Sequence, residues 1–430
     1  MFHSCEDVLG FLDSLGLFSM DMGLDRMRRA IDTLHLDAGD WRPYIVQVVG
    51  TNGKGSTSTF LDALGRAHGV KTGLYTSPHF VTPRERIRIN GEMIPAASLP
   101  RLANYVHEAV SDLTYFEFLT VLALLAFREA GVQLVVMEAG LGGRYDATTA
   151  MRADAVCFTP IDMDHMKILG DTLADIAADK ACAIRENTPA LTGAQAGEVI
   201  KILRTTAEAR QSPLLLSVDV AALPKEARLG LAGPHQRGNA LLALAAWTLA
   251  ASEKHWQIQK EAVLQGLASA RIPGRFQHVP ASGGEPAFIL DGGHNPHGLQ
   301  SCLAALEAEK IRPGAMIFSC LADKDISSML PIAAAMARGI PLLLCTIREN
   351  ERAMPAEELA AAFKTYAARH GVGPSRILVF PSLAPALAEA GRLMNGKSAP
   401  VVICGSLYLL GEFFTLRPQW LSDSPQPSPR

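Results

Sequence analysis

None of the seven cysteines of this 430-residue chain forms a C-x-x-C pair. They are Cys5, Cys157, Cys182, Cys302, Cys320, Cys345 and Cys404, scattered and odd in number. That excludes a disulfide framework and a cysteine zinc site, and it fits a reducing cytosol, so a cytoplasmic location is expected. A dominant sign of charge is also missing. The formal net charge is −3, which gives no electrostatic case for nucleic acid or for an anionic membrane. No apolar stretch of about 18 residues is free of charges or breakers, so no membrane span is expected. The N-terminus lacks a basic region followed by an apolar run, so no signal peptide is expected. There is no internal repeat. What remains is a chain with 48% hydrophobic and 19% charged residues, the balance of a soluble globular enzyme, and long enough for two domains.

One stretch organises the chain. The apolar run Tyr44 to Val49 leads into Gly50-Thr51-Asn52-Gly53-Lys54-Gly55-Ser56, with Thr57 following. Three glycines within six positions, 50 to 55, let the backbone fold tightly enough for several N–H groups to face one anion. The helix that follows adds its free N–H groups and the positive end of its dipole. Lys54 supplies a point charge for the outer phosphates. This is a phosphate cradle, most simply for ATP. Its spacing departs from the usual G-x-x-x-x-G-K-[ST], because Gly50 is three residues before Gly53 and Gly55 follows the lysine.

Around it the chain reads as strands alternating with helices, which implies a mostly parallel sheet whose ligands gather at the carboxyl ends of the strands. Two short amphipathic helices, carrying Val8, Leu9, Leu12, Leu15 and then Leu24, Met27, Ile31, Leu34, precede the cradle. Thr72 to Tyr75 is a strand ending at Thr76-Ser77-Pro78-His79. Arg84 to Ile94 reads as a hairpin about the turn pair Asn90-Gly91. Its arginines share one face, either solvated or attracting an anionic substrate. Thr114-Tyr115-Phe116-Glu117 reads as a capping box opening a helix buried nearly all round. Gln133 to Glu138 is a buried strand ending in a carboxylate, followed by the loop Gly140-Leu141-Gly142-Gly143-Arg144-Tyr145-Asp146. Asp154 to Thr159 is a strand leading to Asp162-Met163-Asp164-His165. Asp179-Lys180 lies in a later helix, and Asn239 in the first turns of a long Ala/Leu helix.

The stretch from Arg271 to Pro286 reads as a domain boundary. Residues 1–280 are expected to form a P-loop-type domain with a mostly parallel sheet, residues 285–421 a smaller Rossmann-like α/β domain, and residues 422–430 a disordered tail. The second domain lacks G-x-G-x-x-G after its first strand, so it does not read as a dinucleotide binder. That strand ends instead in Asp291-Gly292-Gly293-His294-Asn295-Pro296-His297.

Magnesium accompanies reacting ATP phosphates and wants hard oxygen ligands, usually few of them from protein. Glu138, at the end of an apolar strand, sits where a Walker B acid would. Ser77 and His165 close neighbouring strand ends, so all three could converge beside Lys54. Taken singly, a histidine such as His165 is more often a satisfied hydrogen-bonding group than a ligand, and a glutamate ending a strand, like Glu138, is more often simply solvated.

The blocks Gly50 to Ser56, Thr76-Ser77-Pro78-His79, Glu138-Ala139-Gly140-Leu141-Gly142-Gly143-Arg144, Asp162 to His165, Asp179-Lys180-Ala181, Pro273-Gly274-Arg275-Phe276-Gln277, Asp291 to His297 and Ala322-Asp323-Lys324-Asp325 resemble the folylpolyglutamate synthases and dihydrofolate synthases, relatives of the Mur ligases, over about residues 20 to 412. The resemblance implies two magnesium ions, with Ser77, Glu138 and His165 holding the first. Lys180, carbamylated in the family, helps hold the second, and a monovalent cation is a further expectation. It implies ATP contacts from Asn239, Arg275, Asp291 and His294, the last two from the C-terminal domain. Lys54, Lys180 and His165 are then the catalytic set. Thr114, Phe116 and Asp146 resemble the pterin pocket of bifunctional members. Each has a plainer reading: Thr114 as helix cap, Phe116 as core, Asp146 as loop acid. Thr149 and Cys182 depart from the family wording at positions that bear on pocket shape, and Cys182 reads as a small buried thiol.

The expected activity is ATP-dependent addition of L-glutamate to dihydropteroate, reduced folates or both. It would proceed through an acyl phosphate in a monomer with no nucleic-acid or membrane partner. The rivals are a Mur-type ligase acting on a nucleotide-linked muramyl substrate and a P-loop nucleotide switch.

Overall fold

The structure is a computed structural model and describes residues 1–16, 21–37, 39–348 and 350–421. The segment 422–430 read as a disordered tail lies outside the described residues. The chain divides into two compact units. The first is Met1–Gly230 with Gln236–Ala270, the second Leu231–His235 with Arg271–Arg430.

The first unit is built on the strands β1 (Tyr44–Val49), β2 (Thr72–Tyr75), β3 (Ile87–Ile89), β4 (Glu92–Met93), β5 (Leu134–Glu138), β6 (Ala155–Phe158), β7 (Ala190–Thr192) and β8 (Leu214–Leu216). They form one sheet in the order β4-β3-β2-β5-β1-β6-β7-β8. From β2 to β8 the pairing is parallel; β3 and β4 add an antiparallel hairpin at one edge. Every residue of β1 and of β5 is buried, as expected of central strands covered on both faces. Because β1 lies between β5 and β6, the loops that leave all three reach the same sheet edge. The helix Lys54–Ala67 follows β1, and Tyr115–Glu129 is buried along nearly all its length, as its aliphatic run predicts.

Two local expectations hold and one is corrected. Thr114 caps its helix, its hydroxyl accepting from Glu117 N–H while Glu117 accepts from Thr114 N–H. Asn90 and Gly91 both have positive φ, 52° and 84°, the geometry of a type I′ turn. The hairpin, however, starts only at Ile87, because Pro83–Arg86 is a 3-10 turn capped by Thr82 and Glu85. Its arginines are not a solvated face. Arg86 and Arg88 are 4% and 7% exposed. Arg86 Nε donates to His79 Nδ1 at 2.8 Å, with its guanidinium 5.5 Å from the Tyr115 ring centre. Arg88 donates to the Gly91 carbonyl.

The second unit has β9 (Gln277–Val279), β10 (Phe288–Asp291), β11 (Ala315–Phe318), β12 (Pro341–Cys345), β13 (Arg376–Phe380) and β14 (Val401–Cys404) in the order β13-β12-β11-β14-β10-β9. Only β9 is antiparallel. That strand corrects the expected boundary at residue 280. Val279 pairs with Phe288, so residues 271–280 belong to the second unit.

Candidate active site

The cradle after β1 is shaped by close approaches. A methyl group on Gly50 would lie 1.9 Å from Thr159 Oγ1, and one on Gly53 (φ 89°) 2.4 Å from Asn239 Oδ1. Side chains cannot be accommodated at either position without displacing these neighbours. The N–H groups of Thr51 and Asn52 both donate to the Pro160 carbonyl, at 3.0 and 3.2 Å. They are therefore engaged by the loop after β6, and the amides free to face an anion are those further along the turn. The first helical bond here runs from Thr57 N–H to the Gly53 carbonyl. That leaves the amides of Lys54, Gly55 and Ser56 outside the helix's own hydrogen bonding, as at any helix start. Asn239, expected as an ATP contact, is buried against this turn. It donates to Gln236 Oε1, and Gln236 Nε2 in turn donates to Ser56 Oγ.

Two lysines converge on one carbonyl. Lys54 Nζ donates to Gly50 O at 3.1 Å and to Thr51 O at 3.2 Å, and Lys180 Nζ donates to the same Gly50 O at 3.0 Å. Lys180 is 3% exposed. Burial, and next the charge of Lys54, pull its pKa down to about 8. Glu138 ends β5 beside the same turn. A methyl on Gly55 would meet its carboxylate oxygens at 3.5 and 3.6 Å, and its Oε2 accepts from Ser77 N–H at 3.1 Å. The structure thus brings Lys54, Lys180, Glu138 and Ser77 to one place. His165 is placed differently. Its side chain is 54% exposed, it stands at φ 49° before a one-turn helix, and its Nε2 lies 3.7 Å from Asp164 Oδ2. Its loop is tied to the cradle by Thr51 Oγ1, which exchanges hydrogen bonds with the main chain of Asp162. Among the described residues no three His, Cys, Asp or Glu side chains gather into a metal cluster. The oxygens of Ser77 and Glu138 nevertheless suit magnesium, which draws few ligands from protein.

The glycine loop after Glu138 packs on the helix Leu173–Ala181 that carries Lys180. Asp179 Oδ1 accepts from Gly143 N–H at 2.9 Å, and a methyl on Gly143 would lie 2.8 Å from Lys180 Cα. Phe116 presses on the same loop, because a methyl on Gly140 would sit 2.7 Å from its Cζ. Its ring lies 5.6 Å from that of Tyr75. Asp146 is not an open acceptor. It is buried, its Oδ1 accepts from the N–H and hydroxyl of Thr148, and its Oδ2 accepts from Leu141 N–H. Burial raises its pKa against these bonds. Cys182 is half-exposed rather than buried, with Sγ 3.3 Å from the Ala178 carbonyl.

In the second unit Asp291, Arg275 and His294 share the end of β10. Asp291 Oδ1 accepts from Gly293 N–H at 2.8 Å and Oδ2 from Phe276 N–H at 3.0 Å. Burial raises the carboxyl's pKa while nearby Arg275 opposes it. His294 Nδ1 is 2.9 Å from the Gly292 carbonyl, so that nitrogen carries a proton. Asn295 then caps the helix Pro296–Ala308. Sequence reasoning missed Gln236 and Gln47 as site residues. The available signals were a polar pair three residues apart on an Ala/Leu helix and a lone amide inside an apolar strand.

These two units match, in order, the Mur ligase middle domain over residues 48–190 and the Mur ligase glutamate ligase domain over residues 274–407. The dihydrofolate synthase/folylpolyglutamate synthase of Bacillus subtilis is 30% identical over 442 residues, covering 96% of this chain and 99% of that protein. The probable bifunctional folylpolyglutamate synthase/dihydropteroate synthase of Haloferax volcanii is 31% identical over 437 residues and 95% of this chain, and the chain spans about half of that protein's length (50%). The solved structure of Escherichia coli FolC in complex with DHPP and ADP superposes with a TM-score of 0.80 at 28% identity, over 97% of this chain and 98% of that one. A phosphate cradle on a parallel sheet followed by a glutamate ligase domain is the build of a Mur-type ligase. Within that class the chain belongs to the dihydrofolate synthase/folylpolyglutamate synthase family.

Proposed function

We propose that this protein joins L-glutamate to dihydropteroate, to reduced folates, or to both, at the expense of ATP. The observation that carries the reading is the convergence of Lys54 and Lys180 on the Gly50 carbonyl, beside the buried carboxylate of Glu138. Two cations and a carboxylate against a helix start suit a polyphosphate and its counter-ion. The substrate carboxylate attacks the γ-phosphate, giving ADP and an acyl phosphate. The glutamate amine then attacks the acyl carbon, and phosphate leaves. The chain's part is to position the reactants and neutralise charge, with Lys54 at the outer phosphates. Ser77 and Glu138 would hold magnesium with His165 from its tethered loop; the ion would offset phosphate charge.

Burial lowers the Lys180 pKa to about 8, so roughly a tenth of it is neutral at pH 7, the form whose nitrogen attacks carbon dioxide to give a carbamate with loss of one proton. Asn239, Arg275, Asp291 and His294 are proposed as ATP contacts. Thr114 and Phe116 are proposed to border the pteridine, and Asp146 to hold that wall in shape.

The deciding assay is glutamate-dependent ADP release with dihydropteroate and with tetrahydrofolate, tested separately. Release with neither would end the reading. Lys54→Ala should lower turnover by about 10²–10³-fold with the fold retained, the scale on which one preorganised contact to a transition state acts. Near wild-type release from the folded variant would remove the phosphate role.

A further inference from the structure

The amide of Gln47 lies inside β1 and is 2% exposed. Its Nε2 donates to two neighbouring hydroxyls, Thr148 Oγ1 at 2.9 Å and Thr149 Oγ1 at 2.7 Å. Each hydroxyl passes a hydrogen bond onward. Thr148 donates to Asp146 Oδ1 at 2.5 Å, and Thr149 donates to the Gly143 carbonyl at 2.8 Å. The proton directions close only one way. Were the amide reversed, both hydroxyls would have to donate to Gln47, so Asp146 would lose its hydroxyl donor and the Gly143 carbonyl its bond from Thr149. Gly143 is thereby gripped at both ends, its carbonyl by Thr149 and its N–H by Asp179. With no side chain, it lies flat on the backbone of Lys180, and Lys180 Nζ returns to Gly50, three residues beyond Gln47. The contacts form a ring that leaves β1 at Gln47 and comes back to it at Gly50.

We infer that Gln47 and Thr149 are positioning residues. Their bridge sets the height of the Gly140–Asp146 loop against the Lys180 segment, and so sets the pteridine side of the site. The inference rests on the proposed ligase reading only for its kinetic consequence. Thr149 stands outside the cradle and touches no proposed ligand of ATP or magnesium. Removing its hydroxyl should therefore act on the loop directly, and reach the phosphate site only at second hand through Lys180. Loss of one member of a buried bridge leaves the Gly143 carbonyl and the Gln47 amide each short of a partner.

The test compares Thr149→Val, which keeps the shape and removes the hydroxyl, with Thr149→Ser, which keeps the hydroxyl. Amide hydrogen exchange across residues 140–149 is read in the full-length protein without ligands. In Thr149→Val, exchange of this segment should speed up at least 10-fold beyond any change in β6 and β7, and Thr149→Ser should restore it. In the ligase assay Thr149→Val should raise KM for the pteridine substrate about 10-fold, with KM for ATP within about twofold of wild type. Wild-type exchange in Thr149→Val, or a uniform rise over the whole first unit, would overturn the inference. So would equal shifts in both KM values. A wild-type protein without ligase activity would defeat the proposed function alone, because the exchange measurement would still decide the bridge.

Discussion

His79 shows how one side chain can be kept in a single protonation state by its surroundings. Burial, and then the charge of Arg86, depress its pKa to about 3. The neutral ring is required, since Nδ1 accepts from Arg86 Nε. A depressed folded-state value means the unfolded chain binds the proton first. Stability from this group is complete above about pH 6.5 and is lost as pH falls toward 3, by up to ~1.4 kcal/mol per pH unit. His79→Asn keeps an acceptor near the Nδ1 position and cannot titrate. Urea midpoints measured from pH 7 to pH 4 should therefore fall less steeply for the variant than for wild type, and parallel slopes would contradict this. At Asp146 both carboxylate oxygens already serve the loop. Asp146→Ala should cost about 1–3 kcal/mol of stability and weaken both pteridine substrates comparably. A loss confined to dihydropteroate would instead mark a direct contact.

At the scale of elements, the start of the helix Tyr115–Glu129 meets the loop after β5. The helix end is held by its capping box and by Arg26, whose Nε and Nη2 both donate to the Glu117 carboxylate at 3.0 and 3.1 Å. Phe116 is thus carried on a rigid end and set against Gly140. Gly140→Ala puts a methyl where the ring is, and overpacking of that kind costs about 1–3 kcal/mol. Phe116→Ala alone opens space. In the double variant the clash is gone, so its stability should exceed the sum of the two single effects by about 1 kcal/mol or more in a denaturant cycle. Strict additivity would mean that ring and glycine do not press on one another.

At the scale of the whole chain, the first unit owns a complete sheet, and its boundary falls after Ala270. A fragment of residues 1–270 should therefore fold on its own, with one cooperative thermal transition and dispersed amide resonances. A fragment ending at residue 280 carries β9 without the β10 it pairs with, and should show that segment as unstructured. Failure of the shorter fragment to fold would show that the first unit depends on the rest of the chain. Among the described residues no helix is long and apolar enough to cross a membrane.

Much was legible from local chemistry. The cradle after β1, the Thr114 capping box, the Asn90-Gly91 turn and the carboxylate closing β5 each rest on neighbours a few residues apart. For these, periodicity, glycine placement and capping are sufficient signals. The resemblance of the motif blocks carried the family. Tertiary structure alone decided which distant groups meet. Lys180 reaches a carbonyl 130 positions earlier in the chain, and Arg26 reaches Glu117 across 91. Arg86 and Arg88 alternate as a wet face would, yet they are buried because Tyr115, His79 and the turn carbonyl complete their contacts. Gln47 reads as an interruption of a strand until Thr148 and Thr149 are folded over it. A polar group becomes affordable in the core only when its partners arrive with it, and spacing along the chain does not record that meeting.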